Sequence, residues 1–376
     1  MTFDCHLVVH AVRKPGSVTE HWICSQITSF DQWTPCLLAL DGPADPYNWN
    51  TTADAVSTVP TATRLSRRLL GLPPYRKIAP VLPDSSSSVM HAHFGPVGFD
   101  VLDIANRRGH ALVVSFYGGD AGFVAASSRR WRRQYATLFD RVQIVLVEGP
   151  SLAEKVVNLG CSRQKIRIVK LPVDGSLFDI DRTAATPSHA LFLGGRLVEK
   201  KGFDVGLRAF AQLYQGTSET AVVAGSGPEL DNLQALAARL GIREQVRFLG
   251  QVSWPGFVSA LQSCRVAMFP SRTAANGDCE GGAPVAIPVA HLARVPIVVS
   301  DHDDLPWTAA PGTPVVACRD IDGFSAALHD LVAESHNGTG GARVDNAQRF
   351  AASEHDPATL ARWREAAYVE ANECLS

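Results

Sequence analysis

Although the chain carries eight cysteines, no two of them form a C-x-x-C pair. Cys5, Cys24, Cys36, Cys161, Cys264, Cys279, Cys318 and Cys374 lie mostly in or beside apolar runs. That placement fits buried free thiols in a reducing compartment and argues against a close-spaced zinc or redox motif. No apolar run is as long as a membrane span, and the first residues do not read as a signal peptide, so a cytoplasmic protein is expected. A dominant charge is missing too: 35 Lys and Arg face 37 Asp and Glu, for a net charge of -2. Such a chain has no global field to recruit nucleic acid. No G-x-G-x-x-G follows a strand with an acid downstream, which disfavours a dehydrogenase. No G-x-S-x-G is present to support a hydrolase. Lysines are few, and the arginine and alanine content suggests a GC-rich bacterial genome.

The 376 residues are 46% hydrophobic and 19% charged, the balance of a globular chain with room for two domains. Short β-branched runs alternate with helical patterns. Strands are expected at Cys5–Ala11, Val89–His93, Ala111–Tyr117, Val142–Val147, Ile166–Leu171, Ala190–Leu193, Thr220–Ala224, Val266–Phe269 and Ile297–Ser300. Many are apolar on both faces, as a helix-covered parallel sheet requires. Helices are expected at Phe203–Tyr214, Glu229–Leu240 and Ala283–Ala293, among others, so the fold class is doubly wound α/β.

The alternation pauses at the polar stretch Asp179–Ser188, DIDRTAATPS, the expected linker. It divides an N-terminal domain, 1–183, from a C-terminal domain, 184–355. Asp356-Pro357 then starts a tail helix, 356–376, with Leu360, Trp363, Ala367 and Ala371 on one face, packing on one of the domains. Open α/β sheets bind ligands at their strand carboxyl ends, so two facing domains would place a site in the cleft between them.

Four segments of the second half carry the chemistry. GGRLVEKKGF (Gly194–Phe203) follows a strand and feeds a helix. Its Arg196 and Lys201 offer a planar fork and a point charge beside a helix N-terminus, a combination suited to a diphosphate. AGSGPEL (Ala224–Leu230) and FPSRTAANGDCEGGAPVAI (Phe269–Ile287) also follow strands and open helices, and FLGQV (Phe248–Val252) follows the intervening helix. All four converge on one crevice.

The ordered set GR-x-x-x-KKG, GSGPE, FLG-x-V, PS and EGG-x-P resembles retaining glycosyltransferases of family four, which have the GT-B architecture of two facing Rossmann-like domains. ANGDCEG, with HAHFGP and SFYGGD upstream, is most similar to the branch involved in colanic-acid-like exopolysaccharide synthesis. The resemblance implies that Arg196 and Lys201 hold the donor diphosphate. It places Glu280, with Ser271 of the PS pair nearby, at the donor sugar. Gly194, Gly195 and Gly225 would line the pocket, and Gly281, Gly282 and Ala283 would offer backbone N–H groups. Gln251 and Val252 would lie against the base. Gly16 would face the donor phosphates and Ser17 the acceptor, on the loop before a helix expected at Thr19–Ser29. His91 and His93 share a strand face on the acceptor side. A metal pair there has no third ligand evident in the sequence, and the architecture needs no metal. No cofactor is implied: a nucleotide-diphosphate sugar, of UDP or GDP type, is the co-substrate.

Two departures stand out. Relatives read F-H-G-x-D where this chain has FYGGD, so Tyr117 replaces a sugar-contacting histidine while Asp120 is retained. The family's second acid, which contacts the ribose, falls on Val289 or Pro288, neither a carboxylate. Asp301, Asp303 or Asp304 are the candidates to substitute. The expected activity is transfer of a sugar, with retention, to a polysaccharide, a lipid-linked glycan, or a bacterial secondary metabolite through oxygen or sulfur. A degenerate, non-catalytic nucleotide-sugar-binding partner is the alternative. The basic stretch Ser128–Tyr135 and Arg64, Arg67, Arg68, Arg76 and Lys77 read first as solvated faces, and second as contacts for an anionic acceptor or a membrane surface.

Overall fold

The computed structural model describes residues 6–13, 22–27, 30–40, 54–56, 88–178, 187–282 and 284–375. Two compact units result. The first comprises Met1–Pro172 and Pro357–Ser376, the second Val173–Asp356. The division falls at Val173, ahead of the expected 184, because Val173 and Phe178 pack into a core of the second unit. Val173 also donates its N–H to the His355 carbonyl, 3.0 Å away. Most of the expected linker, 179–186, lies outside the described residues.

In the first unit seven parallel strands, β1 (His6–Val12), β2 (Trp33–Ala39), β3 (Asp54–Val56), β4 (Ser88–His93), β5 (Ala111–Ser115), β6 (Ile144–Val147) and β7 (Ile166–Ile168), stand in the order β3-β2-β1-β4-β5-β6-β7. The central strands β4, β5 and β6 are buried along their whole length, as sheets covered on both faces must be. β2 is absent from the sequence expectation, because Pro35 interrupts its apolar pattern. Its partner β3 pairs only from Cys36 onward, so the missing N–H of Pro35 falls where that side of the strand is still open.

The second unit has six parallel strands: β8 (His189–Gly194), β9 (Ala221–Ala224), β10 (Val246–Gly250), β11 (Cys264–Phe269), β12 (Ile297–Ser300) and β13 (Val315–Val316). Their order is β10-β9-β8-β11-β12-β13. β10 and β13, the two strands not expected from the sequence, are the two edges, where one side need not be dry. Among the helices, Phe203–Tyr214 has the expected bounds, and Leu230–Arg239 is one residue shorter at each end than expected.

The tail helix, Pro357–Glu373, belongs to the first unit. Leu360, Ala367, Tyr368 and Ala371 pack with Trp33, Val89, Val113 and Ile144. The Glu365 carboxylate accepts the N–H groups of Asp31 and Gln32, at 2.9 and 2.8 Å. One residue departs from the expected face: Trp363 is 53% exposed, and the buried position is taken by Arg364. Of the seven described cysteines five are buried, and no disulfide forms among them. No described helix is long and apolar enough to cross a membrane.

Candidate functional site

In the second unit the loops after β8, β9, β10 and β11 meet at the carboxyl ends of adjacent strands. They are knitted by backbone bonds that extend the sheet past its strands. Gly195 donates to Ala224, Gly225 to Gly250, Leu197 to Ser226, and Arg272 to Lys200, all at 2.8–2.9 Å. The approach is so close that side chains are excluded. At Gly225 (φ 138°) a Cβ would lie 1.8 Å from the Gly195 oxygen, and at Gly202 (φ 65°) 1.9 Å from the Pro270 oxygen. Gly202 also precedes the helix Phe203–Tyr214, whose first N–H groups no side chain caps. A glycine-lined helix start of this kind favours an anion.

The two expected cations behave differently. Arg196 is exposed and makes no ion pair among the described residues. Lys201 pairs with Glu280, Nζ to Oε1, at 2.6 Å, and the Ser271 hydroxyl donates to the same oxygen at 2.9 Å. Burial pushes the Glu280 carboxyl up, but Lys201, Lys200 and Ser271 outweigh it and hold it below the usual carboxylate range. Lys200, the neighbouring lysine, is used differently. It is buried and ties Asp278 and the Cys279 carbonyl, at 3.1 and 2.9 Å. The sequence makes the pair look equivalent. The 3-10 turn Glu199–Lys201 aims one at Asp278 and the other at Glu280.

The GG turn after Glu280 requires two corrections. The Gly281 N–H, expected to be offered to a donor, is donated to Asp303 at 3.1 Å. Asp303 is therefore the aspartate that reaches this loop, whereas Asp301 accepts from the Cys318 N–H. Val289 is fully buried with Ile287, Ala290 and Leu292 in the core of the unit, so it faces away from any ligand. The helix that bears it spans only Ala286–Leu292, not 283–293, and that helix presents Val289 to the sheet. Gly282 is buried beside Gly281, and Ala283 lies outside the described residues. Gly194 allows the Phe192 and Phe257 rings to close over it. Gln251 is exposed and accepts a 3.4 Å bond from Ser226, while Val252 packs on the core edge.

In the first unit, Gly16 and Ser17 lie outside the described residues, as do Arg64, Arg67, Arg68, Arg76 and Lys77. Of the helix expected at 19–29, Cys24–Ile27 is described as α-helix. Arg129, Arg130, Arg132 and Arg133 are exposed on the helix Arg129–Arg141, whose start Ser128 caps. Asp120 is buried, and its oxygens accept N–H bonds from Gly95, Tyr117 and Ala121 at 3.0–3.1 Å. It thereby ties the β5 loop to the start of the helix Gly95–Arg108. Burial raises its carboxyl despite these bonds. Phe94 turns β4 into that helix at φ 77°, a strained conformation for a bulky residue.

His91 and His93 gain a third imidazole that the strand pattern did not reveal. β1 runs beside β4 in a register that pairs His10 with His91. Ring nitrogens of the three lie within 4.8 Å of one another. Their bonds form a network: His10 Nδ1 to His93 Nε2 at 3.0 Å, His93 Nδ1 to the Tyr117 hydroxyl, His91 Nδ1 to the Tyr368 hydroxyl, and His91 Nε2 to the Ser115 hydroxyl, the last three at 2.7 Å. Burial, the neighbouring imidazoles and Arg364 hold these histidines neutral, His93 down to about 3. A site already next to a guanidinium cation is a poor one for a metal ion.

This burial has a measurable consequence. The unfolded chain binds protons at these histidines below about pH 6.5, and the folded chain does not. Stability is therefore present above that value and is lost as pH falls, by up to about 1.4 kcal/mol per pH unit for each histidine. Denaturant midpoints at pH 7, 6 and 5 should fall steeply, and His10→Gln should flatten the slope. A midpoint that does not move between pH 7 and 5 would contradict a neutral, buried trio.

Two all-parallel α/β units, one with glycine loops and two cations at its strand ends, define the GT-B fold class. Residues 182–367 match the glycosyl transferases group 1 family. The chain is 31% identical over 236 residues to WcaL of Escherichia coli (strain K12), named for colanic acid biosynthesis, a match covering 58% of this chain and 55% of that one. It is 26% identical over 231 residues to the amylovoran biosynthesis glycosyltransferase AmsK of Erwinia amylovora, covering 59% and 55%. The chain thus spans little more than half the length of these curated relatives. Among solved structures, Anabaena HepE in complex with UDP shares the fold at a TM-score of 0.73 and 16% identity, over 96% of this chain and 98% of that one.

Proposed function

We propose that the chain transfers a sugar, with retention, from a nucleoside-diphosphate sugar to a glycan or lipid-linked glycan of the exopolysaccharide type. The observation that carries this reading is the cradle of the second unit: Arg196, without an ion pair among the described residues, and the Lys201–Glu280 pair, set on glycine loops at a helix start. A leaving diphosphate develops negative charge, and fixed cations beside helix N–H groups stabilise it where it forms. Glu280, held as an anion, orients Lys201. On this reading the donor is of UDP or GDP type; HepE, which shares the fold, holds UDP in its own structure. The relatives named for colanic acid and amylovoran synthesis support a polysaccharide acceptor over a small metabolite.

Thermal unfolding with UDP, GDP, ADP and TDP, and with their sugars, tests the donor class. A matching nucleotide at one hundred times its Kd should stabilise by about 2.7 kcal/mol. If none shifts the transition, the donor assignment fails. If one does, a radiolabelled donor and lipid-linked glycans then test transfer.

A further inference from the structure

The first unit buries an arginine that no described residue satisfies. Arg364 is 1% exposed, and its Nε, Nη1 and Nη2 all lack a hydrogen-bond partner among the described residues. It sits one helical turn after Leu360 and one before Tyr368, in the middle of the stripe that packs on the sheet. The same helix turns Trp363 outward. Packing alone would favour the reverse, since an unpaired buried charge is costly and an exposed tryptophan leaves its apolar area in water.

Tyr368, Tyr117 and Glu365 favour its charge, yet none of them accepts a hydrogen bond from it. Glu365 has its Oε1 committed to two backbone N–H groups. The Tyr368 hydroxyl is bonded to His91. Besides Tyr368 and Glu365, the groups facing the guanidinium electrostatically are His10, His91, His93 and Tyr117, at the carboxyl ends of β1, β4 and the β5 loop. Of these, His10 has a buried Nε2 that also lacks a partner among the described residues. Tyr117, bonded to His93, is partly exposed. An unsatisfied guanidinium and an unsatisfied imidazole nitrogen thus sit together at the strand ends, where such sheets take ligands.

We propose that Arg364, with His10, binds an oxyanion group, a carboxylate or a phosphate, carried by the acceptor. Resting on the transfer activity proposed above, this makes the acceptor an acidic glycan or a phosphate-linked one. A planar guanidinium takes either group through two parallel N–H bonds.

The test uses the full chain with Arg196→Ala and Lys201→Ala, so that the second unit's cradle cannot supply the response. Unfolding is followed in sodium chloride, phosphate and acetate at matched ionic strength. Phosphate, acetate or both should raise the midpoint above chloride, and which one does so separates a phosphate-linked from a carboxylate-bearing acceptor. Adding Arg364→Met should remove that rise while leaving the midpoint in chloride unchanged or higher. Arg364→Met in the otherwise unaltered chain should keep the nucleotide shift, which reports the second unit alone. The proposal is overturned if neither anion exceeds chloride, if the rise survives Arg364→Met, or if Arg364→Met unfolds the chain in chloride, which would mark the arginine as structural. In each of those cases a retained nucleotide shift leaves the donor reading standing.

Discussion

Replacing both Arg196 and Lys201 with alanine is expected to cripple the sugar transfer proposed above. Each removes a charge-assisted contact worth about 1.5–3 kcal/mol. Together they should lower the rate by roughly 10²- to 10⁴-fold, at about 1.4 kcal/mol per decade. The single changes separate the two roles. Arg196 is exposed and has no ion pair among the described residues, so Arg196→Ala should weaken donor binding and turnover with little change in stability. Lys201→Ala also strands the buried Glu280 carboxylate, whose other bond is to Ser271. Losing one partner of a buried pair costs about 3–5 kcal/mol, so this variant should also unfold more easily. Glu280→Gln in the Lys201→Ala background should restore stability without restoring transfer. Full activity in the double alanine variant would refute the cradle as the donor site.

Gly225→Ala should be among the most damaging changes in the second unit. The added Cβ would sit 1.8 Å from the Gly195 carbonyl oxygen, and φ at 138° suits no L side chain. Neither atom can swing away, because the Cβ is fixed by backbone geometry and the oxygen is a backbone atom, and the Gly225 and Gly195 N–H groups are bonded to the neighbouring loops. Relief requires the β8 and β9 loops to part, which dismantles the cradle. A loss of roughly 4 kcal/mol or more is expected, together with loss of any nucleotide shift. Gly250→Ala is the control: its φ is 66° but nothing lies within 4 Å, so it should cost only the left-handed penalty of about 1–2 kcal/mol. Similar midpoints for the two variants would show that the loops are looser than the clash implies.

Much of this site is legible in sequence because it depends on local order. Glycines at strand ends, cations on the following loop and a helix start lie within a few residues of each other, so Gly194–Phe203 announces itself. Lys200 and Lys201 mark the limit: adjacent lysines read alike until the turn between strand and helix points one at Asp278 and the other at Glu280. Val289 marks another. Counting along a motif fixes a position but not the face of a helix, and here the helix starts later and presents Val289 to the core.

Alone, the sequence determined the α/β class, the central strands of both sheets and the glycine- and cation-bearing loops at the strand ends, since apolar runs, glycines and charges act over a few neighbouring residues. Strand order and the tail helix's docking decided the rest. His10 is far from His91 in the chain, yet β1 lies beside β4 and brings the rings together. The tail helix adds Arg364 and Tyr368 to that cluster from the far end of the chain. Pairings between distant segments depend on which surfaces bury each other. No local pattern carries that information, and the fold supplies it only once the core of each unit has closed.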